Sequence, residues 1–447
     1  MPLFRSLFLV LMCCASMARA ADKFPSGAPM KGPVGFVYAI YFAKAPATEP
    51  MAALQKALAQ QGGALTLVKD LSPAPAEAQL SALLEVDVQK NFTPPDLRMI
   101  QYFGRGLSKE QSEEVQLAQQ ALVLEFRMPA SPTYRGLRAA DRLLLQVAEQ
   151  TGGLLWDEET REILTAAEWR KRRVDGWQGD TPYVARHTVI HAYREDQLLR
   201  EITLGMAKFG LPDVVVNEVA HSQNNQAGNL INILAQALAE GAAIGPGGTL
   251  TLNLKAIKHE SLRGAQLPTL QDNATATAQL ALYSGKPEEG DPRNRLLEIG
   301  FDRYPGPDRH AQQTALFASL FGSADSVQIV RHDDAVLAAS NAAKARLPAL
   351  QQAFNAGLRT GEYIMVKAPF AAPDNGREWM WVEVTKWDDK EITGLLNNEP
   401  ANIPTLHSGQ IVKVKAADVF DYIRYDGKGN EEGNESGKLM AKQRGSE

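Results

Sequence analysis

Residues 34 to 43, VGFVYAIYFA, are almost continuously apolar and predict a central strand covered on both faces. Met51, Leu54 and Leu58 then recur at helical spacing until Gly62-Gly63 stops the run. ALTLV (64–68) reads as the next strand, and LLEVDV alternates Leu84, Val86 and Val88 against Glu85 and Asp87. Ser108 and Gln111 form a capping box for a second helix, and ALVLEF (121–126) closes the series. The order β-α-β-β-α-β is the ferredoxin-like pattern, predicted over residues 32–130.

Residues 131–332 mix the same elements. A helix near 138–150 stops at Gly152-Gly153, and LLWDEETREIL turns as a hairpin around Glu158 and Glu159. RHTVIHAY (186–193) alternates as a strand, and a helix is expected next, ending at Gly210 before Pro212. DVVVNEV, a helix marked by Leu230, Leu234 and Leu238, strands near 249–254, 278–283 and 296–302, a helix near 309–321 and strand VQIV complete the region. A second α+β unit packed on the first accounts for them. The fold class is therefore α+β.

Asp333-Asp334 is suited to cap a long helix running to about Ala356, with Gly357 as its stop. From there the pattern is all strand: EYIMVKAPF, EWMWVEVTKW, EITGLLN, QIVKVK and DVFDYIRY. Turn signals at Pro373-Asp374-Asn375-Gly376, Asp388-Asp389 and His407-Ser408-Gly409 separate them, predicting a small, strongly bent, SH3-like barrel over 333–428. The polar, Gly-rich tail, 429–447, is expected to be disordered.

Strict alternation along EWMWVEVTKW puts Met380, Val382 and Val384 on one face and Trp379, Trp381, Glu383 and Trp387 on the other. The aliphatic face is expected to be core. A bare tryptophan row would be an apolar patch that soluble proteins cover or use. The long helix, with Leu347, Leu350 and Phe354, or the N-terminal unit is one cover; an aromatic groove for a peptide, glycan or partner loop is the alternative. Trp381 is expected to be buried within the chain, and Trp387 at least partly exposed beside Asp388-Asp389.

The N-terminus changes the compartment. Arg5, the apolar run of residues 7–17 and Ala18-Arg19-Ala20 read as a secretory signal peptide cleaved after Ala20, and predict a periplasmic protein. Met12 and Cys13, preceding Cys13 and Cys14, are not the small residues that lipid attachment requires. Both cysteines fall in this segment, so the chain from Ala21 has neither disulfides nor thiolate sites. Losing Arg5 and Arg19 takes the formal charge from −5 to −7, which argues against a nucleic-acid partner. No later apolar run reaches the roughly 18 residues of a membrane span.

The stretch EYIMVKAPF…EWMWVEVTKWDDKEITGLLNNEP…LHSGQIVKVKAADVFDYIRYDGK resembles the bacterial family called domain of unknown function 2314, the YegJ-like group. The resemblance covers about residues 333–428. It rests on the Lys367 strand, Trp379-Met380-Trp381-Val382, Gly394-x-Leu396-x-Asn398-x-Pro400, the Gly409 turn and Asp421. The family implies no activity. After the DGK turn its members continue into a further Gly/Thr strand, whereas GNEEGNESGK is acidic and irregular. GGLLWDEETREILTAAEWRKRR also looks like a stretch of other uncharacterised bacterial proteins.

Remaining polar candidates have structural explanations. Asp157, Glu158, Glu159 and Glu162 are suited to acid/base work or cation binding, but are expected to be solvated at a hairpin tip. Arg170-Lys171-Arg172-Arg173, between Trp169 and Trp177, reads as a solvated helix end, with contact to anionic lipid or polymer as the alternative. His187 and His191 on one strand would stand about 13 Å apart, too far for one metal. His332 beside Asp333-Asp334 is explained by a cap, and Gly245-Pro246-Gly247-Gly248 by a turn. Ser340 and Lys344 lack the S-x-x-K spacing. No catalytic, metal or cofactor residue is predicted. The expected role is binding or protein interaction in the cell envelope, with an envelope-acting hydrolase or transferase as the alternative.

Overall fold

The computed structural model describes residues 22–323, 334–373 and 376–444. The signal segment, strand VQIV, the His332-Asp333 pair and Asp374-Asn375 lie outside the described residues.

The first sheet comprises β1 (Val34–Phe42), β2 (Thr66–Leu67), β3 (Gln79–Glu85), β4 (Gly104–Arg105), β5 (Gln120–Met128), β6 (Leu154–Asp157) and β7 (Glu162–Leu164). Their order is β2-β3-β5-β1-β6-β7-β4. Helix α1 (Pro50–Gln60) follows β1; α2 (Val88–Asn91), α3 (Leu97–Phe103) and α4 (Lys109–Glu114) follow β3; α5 (Arg135–Thr151) follows β5. β1 is apolar throughout its middle because both faces are covered. Tyr38 and Ile40 join the core with α1 and α5, whereas Ala39 and Tyr41 pack with Val88, Ile100 and Val115 of the α2–α4 excursion. The capping box of Ser108 and Gln111 forms, but α4 is one short turn of that excursion; the long helix is α5. Because β6 and β7 belong to this sheet, the division expected at residue 130 cuts through it.

After α6 (Ala166–Trp169), a wide π-helical turn (Arg170–Val174) and the small hairpin β8 (Trp177–Gln178) and β9 (Thr181–Pro182), α7 (Val184–His187) leads into the second sheet. That sheet joins β10 (Val189–Glu195), β11 (Leu198–Leu204), β12 (Asp213–Val219), β13 (Thr249–Asn253), β14 (Thr277–Ser284) and β15 (Leu296–Gly300) in the order β10-β11-β12-β15-β14-β13. The helices are α8 (Asn224–Ala239), α9 (Glu260–Gln266) and α10 (Arg309–Phe321). The segment expected to be helical before Gly210 is instead mostly β11. Asp196, at φ 53°, turns the chain tightly, and Leu199 to Leu204 are all buried, polar residues included, so neither period shows in the sequence. One continuous core spans the first two sheets, from Phe36 to Leu230 and Leu280.

The third unit begins with α11 (Asp334–Asn355). It continues through β16 (Glu362–Ala371), β17 (Arg377–Trp387), β18 (Glu391–Leu396), β19 (Ile411–Lys415), β20 (Asp421–Asp426), β21 (Glu431–Gly433) and α12 (Glu435–Arg444). Its order, β19-β18-β17-β16-β20-β21, is that of an open antiparallel sheet, not a closed barrel. The aliphatic face of β17 is closed by α11, whose Leu350 and Phe354 pack with Val366, Met380 and Val382. The tail is not structureless through residue 444: it supplies β21 and α12, held by Asp421, which accepts bonds from the Ser436 backbone and hydroxyl.

Candidate functional site

The four residues singled out on β17 separate. Val382 pairs with Leu396 and Val384 with Gly394, but the register then slips so that Lys386 opposes Thr393 and Trp387 opposes Ile392. The bulge adds one residue, Thr385, and moves everything after it to the other face. Trp387 therefore joins Val382 and Val384 in the core, 4 % exposed and 6.3 Å from the Phe354 ring. Its expected exposure is corrected by this single inserted residue.

Glu383 stays on the outer face but is no surface residue. Its carboxylate accepts the His221 and Ser222 backbone N–H groups at 2.7 and 3.2 Å, at the start of the turn entering α8. Burial raises its pKa while these bonds oppose the shift. Ser222 Oγ and Asn397 Oδ1 lie 3.3 Å apart, Arg194 donates to the Leu358 carbonyl, and Ile411 N–H donates to Asp308. Gly409, at φ 84°, lies so close to His310 and Thr314 that a Cβ would come within 2.4 Å of both. This part of the outer face is the seam with the second unit. His221 is buried in it, and burial, then Arg194, pushes its imidazole down to about 4.

Trp379 and Trp381 are half-buried on the same face, so the burial expected of Trp381 within the chain is only partial. Trp379 packs on Phe420 with centroids 4.7 Å apart. Trp381 is fixed by its backbone, its N–H donating to Asn398 Oδ1 at 2.7 Å. Across the ladder it faces Lys367, which in turn faces Asp421 on β20. Lys367 Nζ lies 5.7 Å from the Trp381 ring centroid. Burial lowers the lysine pKa, with Asp421 opposing. Yet Asp421 is turned to Ser436 and Tyr422 N–H, and among the described residues no carboxylate comes within ion-pair distance of Lys367. The sequence marked Lys367 as part of a motif, but its place beside Trp381 depends on the β16–β17 register.

The charged runs are solvated only in part, with Glu158, Arg170 and Lys171 exposed as expected. Asp157 and Glu162 are wholly buried, as is Arg173. Arg173 spans them, at 2.9 Å from Asp157 and 2.6 Å from Glu162, and also donates to Thr160 and the Arg186 carbonyl. Lys208 binds Asp157, and Arg105 binds Glu162 at 2.7 Å. Burial would raise Asp157, but Lys208 and Arg173 hold it below the usual carboxylate range. Deeper still, Tyr38 donates to Asp141 at 2.9 Å, and His187 Nδ1 is 3.7 Å from the other Asp141 oxygen. Burial pushes Asp141 up to about 7 and keeps His187 neutral, the latter reinforced by Arg173 and Lys208. His187 ends α7, and so does not share a strand with His191. Buried except at Arg105, this network ties the β6–β7 hairpin to the π-helical turn and to Lys208 of the second unit. A cavity of about 430 Å³ beside it is lined by Met128, Tyr134, Arg135 and Phe209, but its Lys208 is committed to Asp157.

Glu201 on β11 is a further buried acid, 1 % exposed, which burial pushes up to about 8. The native state thus holds a proton that the unfolded chain releases near pH 4.3, and this contribution to stability is lost as pH rises from there to about 8. Glu201→Gln is expected to gain on the parent by roughly 1 kcal/mol per pH unit across that window. Urea unfolding at several pH values measures it; parallel pH profiles would contradict it.

Residues 320–443 match a family described as an uncharacterized protein conserved in bacteria, domain of unknown function 2314. No curated protein and no solved structure matches the chain. Among the described residues no helix is long and apolar enough to cross a membrane, and no cluster of three or more His, Cys, Asp or Glu residues is arranged to hold a metal.

Proposed function

With the C-terminal segment's place in that bacterial family as premise, we propose that the chain is an exported, periplasmic binding protein whose contact surface centres on Trp381 and Lys367. The observation that carries this reading is a lysine beside a half-buried indole on the outer face of β16 and β17, with no carboxylate at ion-pair distance among the described residues. A half-desolvated ammonium whose facing carboxylate, Asp421, is turned to Ser436 favours an arriving anion, and the adjoining ring offers a flat apolar face. An acidic glycan or a carboxylate-bearing peptide or protein loop of the envelope fits both. Trp379 extends the aromatic side; Glu383 and Trp387 serve the seam and the core instead.

The same reading covers the architecture. Strands β1, β3, β5 and β6, in the order β3-β5-β1-β6 with α1 and α5 as crossovers, are read as a ferredoxin-like unit, into which α2–α4 are inserted. That assignment takes β5 as the third strand of the pattern instead of the fourth.

Protein recovered from periplasmic extract, with an intact mass that starts at Ala21, is the material for the test. Lys367→Gln is expected to keep the parent's melting temperature and to retain much less envelope material in a pull-down at low salt. Undiminished capture would overturn the role of this surface, and a lipid adduct on Cys13 or Cys14 would overturn the soluble periplasmic reading.

A further inference from the structure

Strand β3 has an incomplete outer edge. β2 pairs with it only at Gln79 and Leu80, and the last bond on that side runs from Val68 N–H to the Leu80 carbonyl. Backbone groups alternate in direction along a strand, so those of Ala82 and Leu84 point to the same side as Leu80, away from β5. Among the described residues no strand pairs with that side of Ser81–Glu85.

Edges of this kind invite pairing unless charge, proline or a bulge blocks them. The outer strands of the third sheet carry Lys413 and Lys415 on β19, and Glu431 and Glu432 on β21. Of the second sheet's two edge strands, β10 carries Arg194 and Glu195, whereas β13 is uncharged but buries Leu250 and Leu252 and exposes only the polar Thr251 and Asn253. Leu80 to Leu84 has no charge, no proline and no bulge. Leu80 is buried and Ala82 packs on the core, but on the opposite face Leu83 is 59 % exposed, and Val86, just past the strand end, is 65 % exposed. Leu117, exposed as well, lies on the turn that Gln89 ties to α2, just beyond the end of β3.

The free stretch is its own complement. In an antiparallel pair centred on Leu83, Ala82 of one copy meets Leu84 of the other, both with backbone groups aimed across the junction. Leu83 then faces Leu83 at the non-hydrogen-bonded position, where side chains approach most closely. Ser81 opposes Glu85, and the ladder ends where β2 begins to occupy the edge. We infer that β3 is the interface of a homodimer, pairing edge to edge through Ser81–Glu85 with Leu83 at the two-fold axis.

Sedimentation velocity of the chain from Ala21, over a dilution series, is the test. The parent is expected to form a reversible dimer. Leu83→Lys sets two ammonium groups against each other and should give monomer, with unchanged circular dichroism and melting temperature. Ser81→Lys places each new cation opposite Glu85 of the other copy and should preserve or tighten the dimer. A parent that is monomeric throughout would overturn the inference and leave this edge to a strand from another protein. A dimer indifferent to Leu83→Lys, or one broken by Ser81→Lys, would also overturn it.

Discussion

Arg173→Ala is expected to cost about 3–5 kcal/mol of stability, the range for removing one member of a buried ion pair. Its guanidinium is the only cation within ion-pair distance of both Asp157 and Glu162 among the described residues, and none of the three is exposed. Without it Lys208 holds Asp157, and Arg105 and Arg172 hold Glu162, but each carboxylate loses its bond to the buried guanidinium. Arg173→Lys should recover little, because an ammonium lacks the planar fork that spans two carboxylates. Guanidinium chloride unfolding monitored by tryptophan fluorescence gives the value. A loss below about 1 kcal/mol, the scale of a surface salt bridge, would show that the cluster is solvated after all.

Trp387→Ala is the second large effect, again about 3–5 kcal/mol, from lost burial and the cavity left behind. The indole packs against Phe354 of α11 and lies in the layer with Val384 and Ile392, so its loss loosens the helix from the sheet. Heating followed by circular dichroism should show a clearly lowered transition for the third unit. An unchanged transition would mean that the bulge at Thr385 does not turn this side chain inward.

These two positions also mark where sequence reading stops. Strands 362–426 announced themselves through alternation, and Met380, Val382 and Val384 were legible as core because their period of two is undisturbed. Trp387 was misplaced because a bulge adds one residue without any composition of its own, and one residue reverses every face downstream. The runs around Asp157 and Arg173 were read as solvated because charge seeks water by default. Their partners come from different elements, and one of them, Lys208, from a different sheet unit. β11 was hidden for the same reason, since buried Arg200, Glu201 and Thr203 imitate a polar face. Of the candidate surface, Trp379 and Trp381 were found from the sequence. Lys367 could be assigned to it only once the β16–β17 register was known.

The most direct test of the proposed binding surface is Trp381→Ala, followed by thermal unfolding and by envelope pull-down on the same preparation. Trp381 is half-buried and outside the cluster that holds Trp387, so its melting temperature should stay close to the parent's while capture of envelope material is largely lost. A melting temperature lowered as far as that of Trp387→Ala, or capture equal to the parent's, would contradict the account.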